Sequence, residues 1–79
     1  MLFYLVSDKR NIKCVLIGKR LRYFRKKAGY NNYEDFCWDN DIPTRTYFRM
    51  ERGENFTMQN LIKVLTALDV ELNDFFKEL

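Results

Sequence analysis

Ile42-Pro-Thr-Arg-Thr-Tyr-Phe-Arg-Met-Glu-Arg-Gly53 is the stretch whose reading decides the fold. At about 100° of rotation per residue, Tyr47 and Met50 fall side by side, and Ile42 just upstream joins them in one apolar edge. Arg45 and Arg52 point almost directly away from that edge, with Phe48 and Arg49 flanking them. Pro43 suits the first helical position, where a missing N–H costs nothing, and it biases Ile42 toward an extended backbone. Gly53 follows as the residue that can close the helix in a left-handed conformation. About three turns result, roughly 15 Å at 1.5 Å per residue, enough to lie in the major groove of B-DNA. Taken alone, the segment reads equally well as the solvated side of an ordinary bundle helix, so its surroundings must decide.

Seventy-nine residues, 47% hydrophobic and 16% aromatic, suffice for one packed core without staples. The net charge of +3 conceals a strong polarity. Residues 1–30 carry nine lysines and arginines against one acid, residues 31–53 three against five, and residues 54–79 two against five. A domain so divided presents a positive field suited to phosphate, with its acidic C-terminal third facing away from DNA. Cys14 and Cys37 match neither a disulfide framework nor a metal-ligand spacing and are expected as small buried residues. The chain contains no histidine, which removes the Ser-His-Asp and Cys-His nucleophiles and leaves zinc a poor ligand set. No enzyme activity, cofactor, metal or small-molecule substrate is therefore expected. No segment approaches the roughly 20 apolar residues of a membrane span. Met1-Leu-Phe-Tyr-Leu-Val6 lacks the flanks of a signal peptide, so the expected setting is the reducing cytoplasm.

Outward from residues 42–53 the pattern stays helical. From a cap at Ser7 or Asp8, a first helix runs to about Ala28, with Cys14, Ile17, Leu21, Phe24 and Ala28 as its apolar stripe and Gly29 closing it. Asn32 caps a second helix with Glu34 and Asp35 in its first turn. There Phe36 and Cys37 face inward, and Trp38 covers a neighbour with a partly exposed ring. Asp39-Asn40-Asp41 has the composition of a turn. Thr57 caps a fourth helix, Phe56 and Leu61 match a hydrophobic staple, and Met58, Leu61, Ile62, Leu65 and Leu68 form its apolar face. After a break at Asp69-Val70, Leu72, Phe75, Phe76 and Leu79 mark a short final helix. The expectation is a compact all-α domain of five helices, with residues 1–12 as an N-terminal extension and the start of helix 1, and residues 13–79 as the helix-turn-helix domain. The pattern of residues 1–6 fixes no structure. They could pack on the bundle, pair with a second copy or hang loose.

Ile17-Gly-Lys-Arg-Leu-Arg22, Gly29, Phe36-Cys37, Ile42, Arg49-Met-Glu-Arg-Gly53, Asn55-Phe-Thr-Met58 and Leu61-Ile-Lys-Val-Leu-Thr-Ala-Leu-Asp-Val70 together resemble the Cro/C1-type (XRE) helix-turn-helix family, over roughly residues 15–76. The resemblance implies the lambda-repressor-like five-helix fold, with helix 3 in the major groove and helix 2 across the backbone. Carried over by position, base contacts fall on Thr44, Arg45 and Arg49. Arginine suits the O6 and N7 of guanine, and Thr44 or Phe48 suits a thymine methyl. Phosphate contacts fall on Asn32, Tyr33, Arg52 and Asn55, and a structural ion pair on Arg25 and Glu51. The chain departs from the family pattern at Tyr33, where glutamine is usual, at Asp41, where glycine is usual, at Pro43 in place of a polar cap, and by one residue inserted after Gly29.

The function implied is a sequence-specific double-stranded DNA-binding transcriptional regulator, similar to small phage repressors and restriction-modification controller proteins. Geometry favours a homodimer on an operator with two-fold character, since one short helix reads few base pairs. Leu72, Phe75, Phe76 and Leu79 are more apolar residues than a short terminal helix needs, and they form the candidate dimer interface. A second reading is a protein-interaction module such as the antitoxin of a toxin-antitoxin pair, with residues 1–6 as its docking strand.

Overall fold

The structure, a computed structural model, describes residues 12–77. They form α1 (Ile12–Lys27), α2 (Tyr33–Asp39), α3 (Thr44–Glu51), α4 (Met58–Leu68) and α5 (Leu72–Phe76), with no strand among the described residues, so the domain is all-α. The N-terminal hexamer, the cap at Ser7 or Asp8, and Leu79 lie outside the described residues.

Short polar side chains start α2 and α4, and left-handed residues follow α1 to α4. The Asn32 side chain accepts the Asp35 N–H at 2.8 Å, and the Thr57 hydroxyl accepts the Asn60 N–H at 3.1 Å, each satisfying one orphan amide of a first turn. Asp41 (φ 56°) and Asp69 (φ 59°) take the left-handed conformation that Asp tolerates, and each reverses the chain between two helices. Pro43 is the residue before α3 and not its first turn. Its extended ψ of 123° delays the helix by one residue, and no side chain caps the start.

The core is one cluster to which every helix contributes: Leu21 from α1, Phe36 and Cys37 from α2, Tyr47 and Met50 from α3, Leu61, Val64, Leu65 and Leu68 from α4, Phe75 from α5, and Ile42 from the turn before α3. Each large apolar side chain so buried contributes about 1.5–3 kcal/mol. Aromatic edges knit it together, with Phe36 at 5.2 Å from Tyr47 and 5.3 Å from Tyr30, and Phe24 at 6.0 Å from Phe75.

Several expected positions are corrected. On α1 the buried line is Gly18, Leu21 and Arg25, while Ala28 is exposed and Cys14 half-buried. Of the expected stripe, Leu21 lies in the core with Ile17 and Phe24 packed against it, while Gly18 and Arg25 join it on the buried side. On α4 Val64 is buried, whereas Met58 is 56% and Ile62 46% exposed, because α4 leans on the core with the flank opposite the expected one. Trp38 is 77% exposed and covers little. Phe75 is fully buried and completes the monomer core, which withdraws it from the candidate dimer interface. Leu72 and Phe76 remain 42% and 38% exposed, and Leu72 shares an open hollow with Ile62.

Arg20 ties α1 to α5. Its Nε donates to Phe75 O at 2.8 Å and its Nη2 to Asp74 O at 2.9 Å, while its guanidinium lies 5.0 Å from the Phe24 ring. Two carbonyls of α5 thereby gain a charged donor.

Burial raises two acidic groups. The Cys37 thiol is pushed up to about 11 from 9.0, first by burial and then by the Glu51 carboxylate. The Tyr47 phenol is raised by burial and by its hydrogen bond to Glu51. A group whose pKa is higher folded than unfolded gives its full stability below the unfolded value and loses it as pH rises through the folded one. Stability is therefore expected to hold up to about pH 9 and fall toward pH 11, with Cys37 contributing on the order of 2 kcal/mol of the loss. Melting curves at pH 8, 9.5 and 11 test this against Cys37→Ala, whose decline should be shallower. Equal declines in the two proteins would remove Cys37 from the account.

Candidate nucleic-acid interface

The site is built on the two edges of α3. Its inner edge, Tyr47 and Met50, is sealed in the core, which fixes the rotation of the helix about its own axis. The outer edge then carries Arg45, Phe48 and Arg49 exposed, with Thr44 half-buried at the start. Arg52 follows as the C-cap. Arg45, Phe48 and Arg49 thus share the outer side of one helix, and Thr44 stands at its flank beside Tyr47.

A tight seam against α1 holds this helix in place. Gly18 sits where a Cβ would come within 2.7 Å of Met50 O and nearer still to Glu51 O. One turn earlier, Val15 packs directly on Gly53, whose φ of 88° reverses the chain after α3. Beside the seam Arg25 is buried, with Nη1 at 3.3 Å from Glu51 Oε2. The same oxygen accepts the Tyr47 hydroxyl, while Arg25 Nε has no hydrogen-bond partner. One carboxylate thus serves a buried cation on α1 and a buried phenol on its own helix. An acid in the last turn of a helix opposes the helix dipole. Arg25 accounts for its presence there.

The residues expected at phosphate differ in what they have to offer. Tyr33, at the start of α2, lays its ring 5.3 Å from Phe48 and 6.4 Å from Tyr47, so α2 and α3 meet through stacked aromatics. Asn55 in the loop after α3 accepts the Cys14 thiol at its Oδ1 (3.8 Å), so its amide nitrogen is not the atom engaged by that bond. Asn32 is held in its capping role by a second bond, Nδ2 to Asp35 Oδ2 at 3.1 Å, which sets a carboxylate beside its donor. The Arg52 guanidinium lies 5.6 Å from the Phe48 ring and 3.6 Å from Glu54 Oε2.

Two hollows flank Phe48. One, about 330 Å³, is lined by Arg45, Phe48, Arg49, Arg52 and Glu54 on the outer edge of α3. The other, about 340 Å³, lies between α1 and α3 and brings Lys19 and Arg22 to the same rim as Tyr33, Phe48 and Arg52. Lys19 and Arg22 are exposed, and neither forms an ion pair among the described residues. Sequence reasoning counted them only as part of a basic stretch. Their i, i+3 spacing on α1, off the line of Leu21, was the signal that they share a side.

Of the nine cations in residues 1–30, Arg25 is neutralised by Glu51, so the outward field is smaller than the count suggests. Among the described residues no group of three or more acidic, cysteine or histidine side chains could hold a metal ion, and no helix is long and apolar enough to cross a membrane. The chain matches no protein-family model, no curated protein and no solved structure.

Proposed function

We propose that this chain is a sequence-specific double-stranded DNA-binding regulator of the helix-turn-helix kind, acting in the cytoplasm as a homodimer. The observation that carries the reading is the division of α3. Tyr47 and Met50 are locked in the core while Arg45, Phe48 and Arg49 are exposed on the outer side, with half-buried Thr44 between the two. A helix whose rotation is fixed by packing can offer donors in a set direction, which base reading requires and a merely solvated face does not. Arg45 and Arg49 suit guanine, and the Phe48 ring, 39% exposed, suits a thymine methyl. Phosphates on either side fall to Tyr33, Arg52 and Asn55, joined by Lys19 and Arg22 across the second hollow. The dimer contact falls to Leu72 and Phe76, with Ile62 beside them.

A salt-dependent binding titration tests this, using a selected DNA pool and random duplex with wild type and Arg45→Ala/Arg49→Ala. Wild type is expected to prefer one sequence by roughly a thousandfold or more, and the double variant to lose that preference while keeping weak, salt-sensitive affinity. If both proteins bind all DNA equally, the positive side is only electrostatic and a protein-interaction module becomes the better reading.

A further inference from the structure

Glu54 lies just past the end of α3, and the closing turn brings it back over the arginines of that helix. Gly53 N–H donates to Met50 O at 3.1 Å and Glu54 N–H to Arg49 O at 3.1 Å, the paired bonds by which a left-handed glycine returns the chain onto its own helix. The Glu54 carboxylate is thereby set against the side chain one turn below. Oε1 accepts Arg49 Nε–H at 3.0 Å, and Oε2 lies 3.6 Å from Arg52 Nη1. Both oxygens are engaged, and Glu54 lines the hollow that holds Arg45, Phe48 and Arg49.

A carboxylate among arginines that face DNA opposes phosphate, so its charge alone weakens binding. Its geometry does something else. By taking the Nε–H, Glu54 holds the guanidinium plane and leaves the Nη1/Nη2 edge out of that bond, and that edge carries the parallel N–H bonds that match the O6 and N7 of guanine. An arginine already held loses less side-chain freedom on binding than one that must be ordered by the base.

We infer that Glu54 is a positioning residue for Arg49, fixing the guanidinium for end-on recognition of a guanine. The inference rests on the DNA reading proposed above. It is tested with Glu54→Ala and Glu54→Gln at this half-buried position, with melting curves to show that each folds. Glutamine removes the charge but keeps a carbonyl to accept the Nε–H, whereas alanine removes both. Both variants are expected to bind random duplex more tightly than wild type. Only Glu54→Ala should lose preference, by roughly tenfold, at the base pair that Arg49→Ala also relaxes. Glu54→Ala added to Arg49→Ala should then cause no further loss at that pair. Overturning results are equal preference in wild type and Glu54→Ala, or a loss spread over all positions. A wild type with no sequence preference would instead bring down the DNA reading and this inference with it, an outcome the same titration distinguishes.

Discussion

Replacing Glu51 with alanine is expected to lower the melting temperature by about 15 °C or more, the largest effect of any single side chain outside the apolar core. Arg25 is buried, and Glu51 is its only ion-pair partner among the described residues. Removing one member of a buried pair leaves the other charged and unsolvated, which costs about 3–5 kcal/mol. The Tyr47 hydroxyl loses its acceptor at the same time, adding about 1 kcal/mol. A domain of this length holds roughly 4–12 kcal/mol in all, so the variant stands at the limit of folding. The double variant Arg25→Met/Glu51→Gln removes the buried charge and still offers the phenol a carbonyl, so it should melt above Glu51→Ala. Thermal melts of the three proteins decide the matter. A Glu51→Ala protein that melts within about 3 °C of wild type would show that Arg25 finds another way to be solvated.

Gly18→Ala is the second large effect, and its sign is opposite to the usual one. Within a helix, alanine for glycine normally stabilises by about 1 kcal/mol. At this position the new methyl meets Met50 O at 2.7 Å and the Glu51 carbonyl carbon at 2.8 Å, both backbone atoms of the last turn of α3. Met50 O is itself bound by the Gly53 N–H, so it cannot retreat without opening the closing turn. The helices must separate along the seam, for a net cost of about 2–3 kcal/mol and roughly 10 °C in melting temperature. A denaturant titration reads this directly, and a variant as stable as wild type would mean that the α1–α3 seam is looser than its distances indicate.

How much of this was legible in the sequence depended on whether a residue's role is local. The rotation of α3 followed from Ile42, Tyr47 and Met50 because a 3.6-residue period places side chains without knowledge of neighbours. The caps Asn32 and Thr57 and the left-handed Asp41 were legible for the same reason, since each bonds or turns within a few residues of itself. The pairing of Arg25 with Glu51 lies across two helices, and periodicity says nothing of it. It came from the family resemblance. Where a role is set by a distant element, the reading failed. On α4, Ile62 and Val64 flank the same apolar line, and choosing between them requires knowing which side meets the core. Gly18 carried a signal in being a glycine within a helix, which calls for a close approach, but not which backbone approaches. Arg20 looked like one more cation in a basic stretch because its acceptors are carbonyls, which any residue supplies.

The two edges of α3 answer to different demands. Along the inner one, Gly18, Val15 and Gly53 leave no room for even a methyl group. On the outer one, Arg45 and Arg49 stand in solvent, where exchanging a side chain changes stability by only a few tenths of a kcal/mol. What this helix presents to its surroundings can therefore drift through many sequences while the body that carries it stays unaltered, so descendants of this chain would diverge first along the exposed edge of α3 and last in their shape.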